Sequence, residues 1–324
     1  MQLRVIDGET VRAFATPERL IGWMREAMLA TSTGRVELPL RRKLDLPDGM
    51  GAIGVMPGYV EAVASAGVKL VSLVPSNRRR GSSHLGMIVL YDAEGLVPVS
   101  LLCGSTITAL RTAAVVALAT DTLARPDARR LTILGTGEQA VAHLEALPQV
   151  REFDDVRIWG RTAEKAEALA ADFSKRLPIR SCPSVEEAVV GTNVVCTVTS
   201  SPVPILAGRL ISDGCHVNLV GSSTALAAET DDELVRRSRF VVDYRPSALD
   251  QAGELFGAIM RRAINVNHIA GELGEVLAGR VEGRQSADQV TVYKSLGIAA
   301  QDIVTARHVY ARASEAGRGT MVQL

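Results

Sequence analysis

Three features of the sequence predict an α/β chain: a doubly wound parallel sheet together with a separate, discontinuous α+β domain. Residues 131–134 are an apolar run of strand length that enters Gly135-Thr136-Gly137-Glu138-Gln139-Ala140, and a helical pattern continues to about Leu147. Beyond it, strand-like and helix-like stretches alternate as far as Tyr293, the rhythm of a parallel sheet covered on both faces. The first hundred residues differ, with one helical pattern followed by consecutive strand patterns, which suits a mixed or antiparallel sheet.

The glycine turn explains why a ligand is expected. Gly135 permits a tight turn, Gly137 lets the backbone approach a pyrophosphate, and Ala140 is small enough for the helix to pack on the strand. The N–H groups around Thr136, Glu138 and Gln139 then face the anion from a helix N-terminus. Gly-x-Gly-x-x-Ala alone also fits a turn that binds nothing; the strand before it and the helix after it favour a Rossmann-type dinucleotide site. The second strand, Val156-Arg157-Ile158-Trp159, ends in Gly160-Arg161-Thr162, with Lys165 one turn further on. No acid stands there to hold a ribose 2′-hydroxyl, because Asp154 and Asp155 precede the strand. A missing acid and a gained arginine favour a 2′-phosphate, hence NADPH, with NADH possible.

The remaining elements follow from local pattern. Residues 1–6 can form a strand, and Thr16-Pro17-Glu18 opens a helix whose Leu20, Trp23, Met24, Ala27 and Met28 share one face. Strands are expected over 38–44, 51–58, 68–73 and 84–92. The Ala- and Leu-rich stretch 105–119 predicts a largely buried helix, in which Arg111 needs an anionic partner, either a structural carboxylate or a ligand. Later strands are expected over 194–199, 216–220, 240–243 and 290–293, with a helix over 162–173 and a last one over 297–310 that packs back on the first domain. The predicted division is 1–112 with 298–324, and 113–297.

Composition excludes other classes. The 36 basic and 36 acidic residues cancel and only 4% of residues are aromatic, which argues against nucleic acid and anionic membranes as partners. No apolar run approaches the roughly 18 residues of a membrane span, and the N-terminus has no signal core. Cys103, Cys182, Cys196 and Cys215 have no Cys-x-x-Cys spacing, which suggests reduced thiols in the cytoplasm. No His, Cys or carboxylate spacing suggests a metal site.

Several motifs in the same order resemble the ornithine cyclodeaminase/mu-crystallin family over almost the whole chain. They are Lys69-Leu70-Val71, Arg111-Thr112-Ala113-Ala114, the fingerprint with Gln139-Ala140, Gly271-Glu272-Leu273-Gly274, and Val292-Tyr293-Lys294-Ser295-Leu296-Gly297. The resemblance implies a homodimer in which a Rossmann domain accompanies a substrate and dimerisation domain. It implies hydride transfer between a nicotinamide and the α-carbon of a small amino or imino acid. It also assigns roles: Arg41 clamps the substrate carboxylate, Lys69 lies in the substrate pocket, and Arg111 lies near the carboxylate and cofactor with Thr112. Ser83 and His84 resemble a loop that reaches the nucleotide. Thr197, Val198, Thr199, Val220 and Ser222 line the dinucleotide path, and Lys294, Ser295 and Leu296 lie close to the nicotinamide.

Residue chemistry agrees with those roles. A guanidinium can grip a carboxylate in two places, and a lysine on an apolar strand can trade a proton near neutral pH. Bland readings stand beside them. Lys69 can snorkel to solvent, Arg42 or Lys43 can point inward instead of Arg41, and Arg78-Arg79-Arg80 reads as a solvated loop. His143 and Glu145 read as surface residues, and His216 as a satisfied edge histidine. One departure narrows the activity. Cyclodeaminases of the family carry an aspartate where this chain has Ser223 after Val220-Gly221-Ser222, and a hydroxyl cannot accept a proton near neutral pH as a carboxylate can. The expected reaction is therefore NADPH-dependent reduction of a preformed cyclic imino acid to the L-amino acid. Ornithine cyclodeamination and alanine-dehydrogenase-like chemistry are the enzymatic alternatives, and a non-catalytic protein holding NADPH and a small acid is the alternative of another class.

Overall fold

The structure is a computed structural model that describes residues 1–74 and 84–323. In chain order its first elements are β1 (Gln2–Ile6), α1 (Gly8–Phe14), α2 (Pro17–Ser32), β2 (Val36–Glu37), β3 (Arg42–Leu46), β4 (Gly51–Val60), β5 (Ser65–Leu73), β6 (His84–Asp92), β7 (Val97–Cys103) and α3 (Gly104–Leu123). The parallel part contributes β8 (Arg130–Leu134), α4 (Glu138–Ala146), β9 (Asp155–Trp159), α5 (Ala163–Phe173), β10 (Ile179–Ser181), α6 (Val185–Val189), β11 (Val194–Thr197) and β12 (His216–Leu219). It continues through α7 (Asp232–Arg237), β13 (Arg239–Val242), α8 (Arg245–Gln251), α9 (Gly253–Met260), β14 (Ile269–Glu272), α10 (Leu273–Leu277) and β15 (Thr291–Lys294). The chain closes with α11 (Ala299–Glu315) and β16 (Thr320–Gln323). It divides into two compact units, residues 1–115 with 297–324, and residues 116–296.

The first unit is a mixed sheet in the order β16-β1-β7-β6-β5-β4-β2, with β3 also on β4. β1 runs parallel to β7 and the other pairs are antiparallel. Alternation along β5 puts Ser65, Gly67, Lys69 and Val71 on the buried face, where α11 packs on β4, β5 and β6. α2 starts with Pro17 at its first position and buries Leu20, Trp23, Met24, Ala27 and Met28, as its 3.6-residue pattern requires; it packs on α11. The strand expected over 38–44 lies instead at Arg42–Leu46. Pro39 has no N–H to give a ladder, so residues 38–41 stay outside it.

The second unit is an eight-stranded sheet in the order β10-β9-β8-β11-β12-β15-β13-β14, parallel throughout. From β8 the chain winds outward to β9 and β10, then returns to the other side of β8 as β11. Strand order therefore reverses between β8 and β11, where ligands of doubly wound sheets bind. Buried Val195, Val217, Leu219, Phe240, Val242 and Val292 belong to its core.

Three expectations need correction. α3 is long and apolar enough, by length and composition, to cross a membrane, although no such run was expected; it is mostly buried, as in a core helix. His143 is fully buried rather than on the surface. Apolar residues lie all round α4, with Val141 exposed and Ala140, Ala142 and Leu144 buried, so the pattern defines no single face. Burial pulls the His143 imidazole down to about 4. His216 is not at an edge: β12 lies between β11 and β15. Its ring nitrogens meet Thr291 Oγ1 at 2.9 Å and Asn218 Oδ1 at 3.1 Å.

Candidate functional site

Each unit assembles part of the expected chemistry. In the first unit, strand alternation turns Lys69 inward to α11, where its Nζ lies 3.2 Å from both carboxylate oxygens of Asp302. Arg111, on α3, donates from Nε to Asp302 Oδ1 at 3.0 Å and from Nη1 to Gln301 Oε1 at 2.7 Å. Lys69 is 3% exposed, Arg111 4% and Asp302 0%, so Lys69 does not snorkel. Gly297 makes room for the guanidinium: with φ +78, a Cβ there would fall 2.7 Å from Arg111 Nη2. The Gly297 carbonyl accepts Arg41 Nη2 at 3.2 Å. Arg41 is half-buried, while Arg42 and Lys43 are exposed; of the three it is Arg41 that faces the cluster.

The electrostatics of this group favour an anionic ligand. Two buried cations, Lys69 and Arg111, share the single carboxylate of Asp302. An uncompensated buried charge is costly, so the group must either lose the Lys69 proton or gain an anion. Burial pulls the Lys69 ammonium down to about 8, Asp302 opposes that shift, and Arg111 and Arg41 add to it. Burial alone would raise the Asp302 carboxyl, but Arg111 and Lys69 outweigh it and hold it below its ordinary value. A carboxylate ligand would supply the missing charge, and the lysine could then act as a proton donor near neutral pH.

In the second unit the fingerprint lies where the strand order reverses. Gly135 has φ +132, and a Cβ there would lie 2.8 Å from Val198 O, so no other residue fits the turn. At Gly137, the N-cap of α4, an added Cβ meets nothing within 4 Å. That open cradle is what a pyrophosphate needs. Gly160 is tied to the same turn, since a Cβ there would fall 2.5 Å from Thr136 Cγ2. Arg161, Thr162 and Lys165 are exposed just beyond the C-terminal end of β9. Gln139 Oε1 and Ser295 Oγ are buried with no hydrogen-bond partner among the described residues, as groups meant for a ligand would be. These residues fit a dinucleotide.

Not every expected contact is available. Lys294 is turned into a fully buried ion pair with Glu254 at 3.0 Å and donates to Ser222 O at 2.7 Å, so its ammonium is not presented to a cofactor. The Ser222 hydroxyl is likewise turned inward, donating to Ala227 O, and Thr112 donates to Thr108 O at 2.7 Å on its own helix. Val198 N and Val220 N serve the sheet, donating to Leu134 O and Thr197 O; Leu296 N donates to Asp243 Oδ2 at 2.7 Å. Ser83 and the cluster at 78–80 lie outside the described residues; of His84, only its place at the start of β6 is described.

The sequence reading missed Asp302, Gln301 and Glu229. The buried Glu229 carboxylate accepts from Thr197 Oγ1 at 2.6 Å, Thr199 N at 2.9 Å, Thr199 Oγ1 at 2.7 Å and Gly221 N at 2.7 Å. It thereby clamps the chain just past β11 to the chain just past β12. Glu229 opens the acidic run Glu229-Thr230-Asp231-Asp232-Glu233, so no local signal set it apart.

The sequence profile of the ornithine cyclodeaminase/mu-crystallin family matches residues 5–317. The Delta(1)-pyrroline-2-carboxylate reductase of Bacillus cereus is 32% identical over 323 residues, 98% of this chain and 99% of that protein. The ketimine reductase mu-crystallin of Mus musculus is 37% identical over 278 residues, 86% and 85% of the two chains. The structure of Thermococcus litoralis Delta(1)-pyrroline-2-carboxylate reductase in complex with NADH and L-proline superposes with a TM-score of 0.95 at 32% identity, covering 98% of this chain and 99% of that one. With a fingerprint at the strand reversal, a lysine and two arginines gathered in the mixed-sheet unit, and a profile match across both units, this chain belongs to the ornithine cyclodeaminase/mu-crystallin family.

Proposed function

We propose that the protein is an NADPH-dependent reductase of cyclic imino acids of the Δ1-pyrroline-2-carboxylate or Δ1-piperideine-2-carboxylate type. The observation that carries this reading is the buried Lys69–Asp302–Arg111 group, which lacks one negative charge and holds its lysine near neutral titration. An imino acid brings both a carboxylate and a basic nitrogen. The names of the bacterial and mouse relatives support that substrate class. Arg161, with no acid at the same strand end, supports NADPH, whereas the Thermococcus litoralis protein was captured with NADH.

When bound, the reduced nicotinamide supplies a hydride to the imine carbon. Arg41 and Arg111 hold the substrate carboxylate, which fixes the orientation of the C=N bond. Lys69 Nζ gives its proton to the nitrogen as the C=N π bond is lost, leaving a C–H and an N–H bond on the product. The neutral amine of Lys69 then regains a proton from water. The half-buried Ser223 supplies no carboxylate for a deamination cycle. We also infer a cytoplasmic homodimer, a setting that suits four free cysteines.

The test is loss of reduced-nicotinamide absorbance with Δ1-pyrroline-2-carboxylate, run with NADPH and NADH and beside pyruvate plus ammonia. Turnover of the cyclic imine, faster with NADPH, is the expected outcome. Turnover of pyruvate and ammonia alone would replace the reading with an amino-acid dehydrogenase. Cofactor binding with no turnover would replace it with a binding protein.

A further inference from the structure

We propose that Asp302 is the positioning residue of this site: its one carboxylate, shared by two buried cations, aims the Lys69 ammonium and sets the pH range over which it is charged. The inference rests on the reading of Lys69 as proton donor. α11 brings Asp302 and Gln301 under β5, and α3 brings Arg111 to the same carboxylate from another direction. Both Asp302 oxygens lie 3.2 Å from Lys69 Nζ, so the ammonium sits astride the carboxylate, and Oδ1 also takes Arg111 Nε at 3.0 Å. The charged groups facing Lys69 are Asp302 from α11, Arg111 from α3 and Arg41 from the segment before β3. The strand neighbours in register with Lys69 are the apolar Met56 on β4 and Ile88 on β6.

The roles of the two charged neighbours are opposite. Asp302 favours the protonated lysine, while Arg111 disfavours it directly and also draws on the same carboxylate. Removing either partner should therefore move Lys69 in opposite directions, which a purely structural role would not do. In the cycle, the ammonium gives up its proton and Asp302 is left with Arg111 alone, a one-to-one pair. The arrangement thus accepts the neutral lysine after transfer and draws it back to the charged form afterwards.

The experiment measures Lys69 directly in the ligand-free protein, by isotopic labelling of lysine and NMR titration of the Lys69 Cε signal across pH, with Lys69→Met assigning the signal. In the unaltered protein the midpoint is expected at about 8. Asp302→Asn should move it down by about one unit or more, since an opposite charge within a few ångströms is worth about 1–3 units. Arg111→Gln should move it up, because Asp302 then serves Lys69 alone. The descending basic limb of kcat/KM should follow the midpoint in each variant that turns over, while the imine's own titration stays common to all. A folded Asp302→Asn protein with an unmoved midpoint, or two variants that shift in the same direction, overturns the proposal. If Asp302→Asn does not fold, Arg111→Gln decides, an upward move supporting the role and no move refuting it. Lys69→Met separates the underlying reading, with turnover expected to fall on the order of a hundredfold or more. Normal turnover in that variant removes Lys69 as donor, whatever the titration shows.

Discussion

Arg161 stands exposed one residue past Gly160, at the end of β9 where an NAD site would carry its ribose acid. Asp154 and Asp155 lie at the opposite end of that strand. Asp155 Oδ2 accepts Arg157 Nε at 2.9 Å and Nη2 at 2.6 Å, so it cannot reach a ribose. A guanidinium in this place can pair with a 2′-phosphate, and hydrogen bonds to charged groups are worth about 1.5–3 kcal/mol. Arg161→Asp removes that donor and sets a carboxylate against the phosphate. The ratio of kcat/KM for NADPH over NADH should fall roughly ten- to hundredfold, measured with one imine at saturating concentration. An unchanged ratio would mean that the 2′-position is read by another group. At this scale the sequence was informative about placement, because the glycine turn, the strand end before Arg161 and the alternation that turns Lys69 inward are local patterns.

Among the elements, β11 and β12 show how a crevice is shaped by residues that need not touch a ligand. Their C-terminal ends are joined through Glu229, whose carboxylate accepts two backbone N–H groups and two hydroxyls. Gly221 is required at this seam, since a Cβ there would lie 2.0 Å from Thr199 O. Glu229→Gln keeps the volume but replaces one acceptor oxygen by an NH2. Whichever way the amide turns, either Thr199 N–H or Gly221 N–H then faces another donor. The expected cost is about 2–3 kcal/mol, a fall in Tm of several degrees for a unit of this size, and weaker dinucleotide binding by titration. Unchanged melting and unchanged affinity together would remove Glu229 from the seam. The strands themselves were legible from apolar runs, but Glu229 was not. Gly221 lies 8 residues away in sequence but Thr199 and Thr197 lie 30 and 32 away, and a carboxylate on a loop gives no periodic signal.

For the molecule as a whole, the limit on sequence reading is sequence separation. The fold class was legible because strand–helix alternation and the glycine turn are local, whereas Lys69 meets its carboxylate across 233 residues and Arg111 across 191. Arg111 announced that it needed an anion without saying which; α11 supplied it. The same long-range limit applies to what covers the mixed sheet. Its α11 side is filled, yet the strands are apolar on both faces. Leu44, Ile53, Ser72 and Leu85 stand in register across β3, β4, β5 and β6, and Leu44 is 60%, Ile53 38%, Leu85 49% and Met87 46% exposed. A mostly apolar face of this kind, with Ser72 Oγ turned to Leu85 O within its row, suits an association surface, and the chain's zero net charge adds no repulsion between copies. The inferred homodimer would cover this face with its own copy, since a two-fold axis sets the same patch against itself. Sedimentation equilibrium should then give twice the 34.5 kDa of the chain. Ile53→Asp places a charge in the centre of the row and, by symmetry, its twin close by. Association should weaken on the order of a hundredfold, while the Lys69 titration midpoint, set within one chain, stays in place. A monomeric unaltered protein, or an Ile53→Asp protein that dimerises as tightly as before, would exclude this face as the interface.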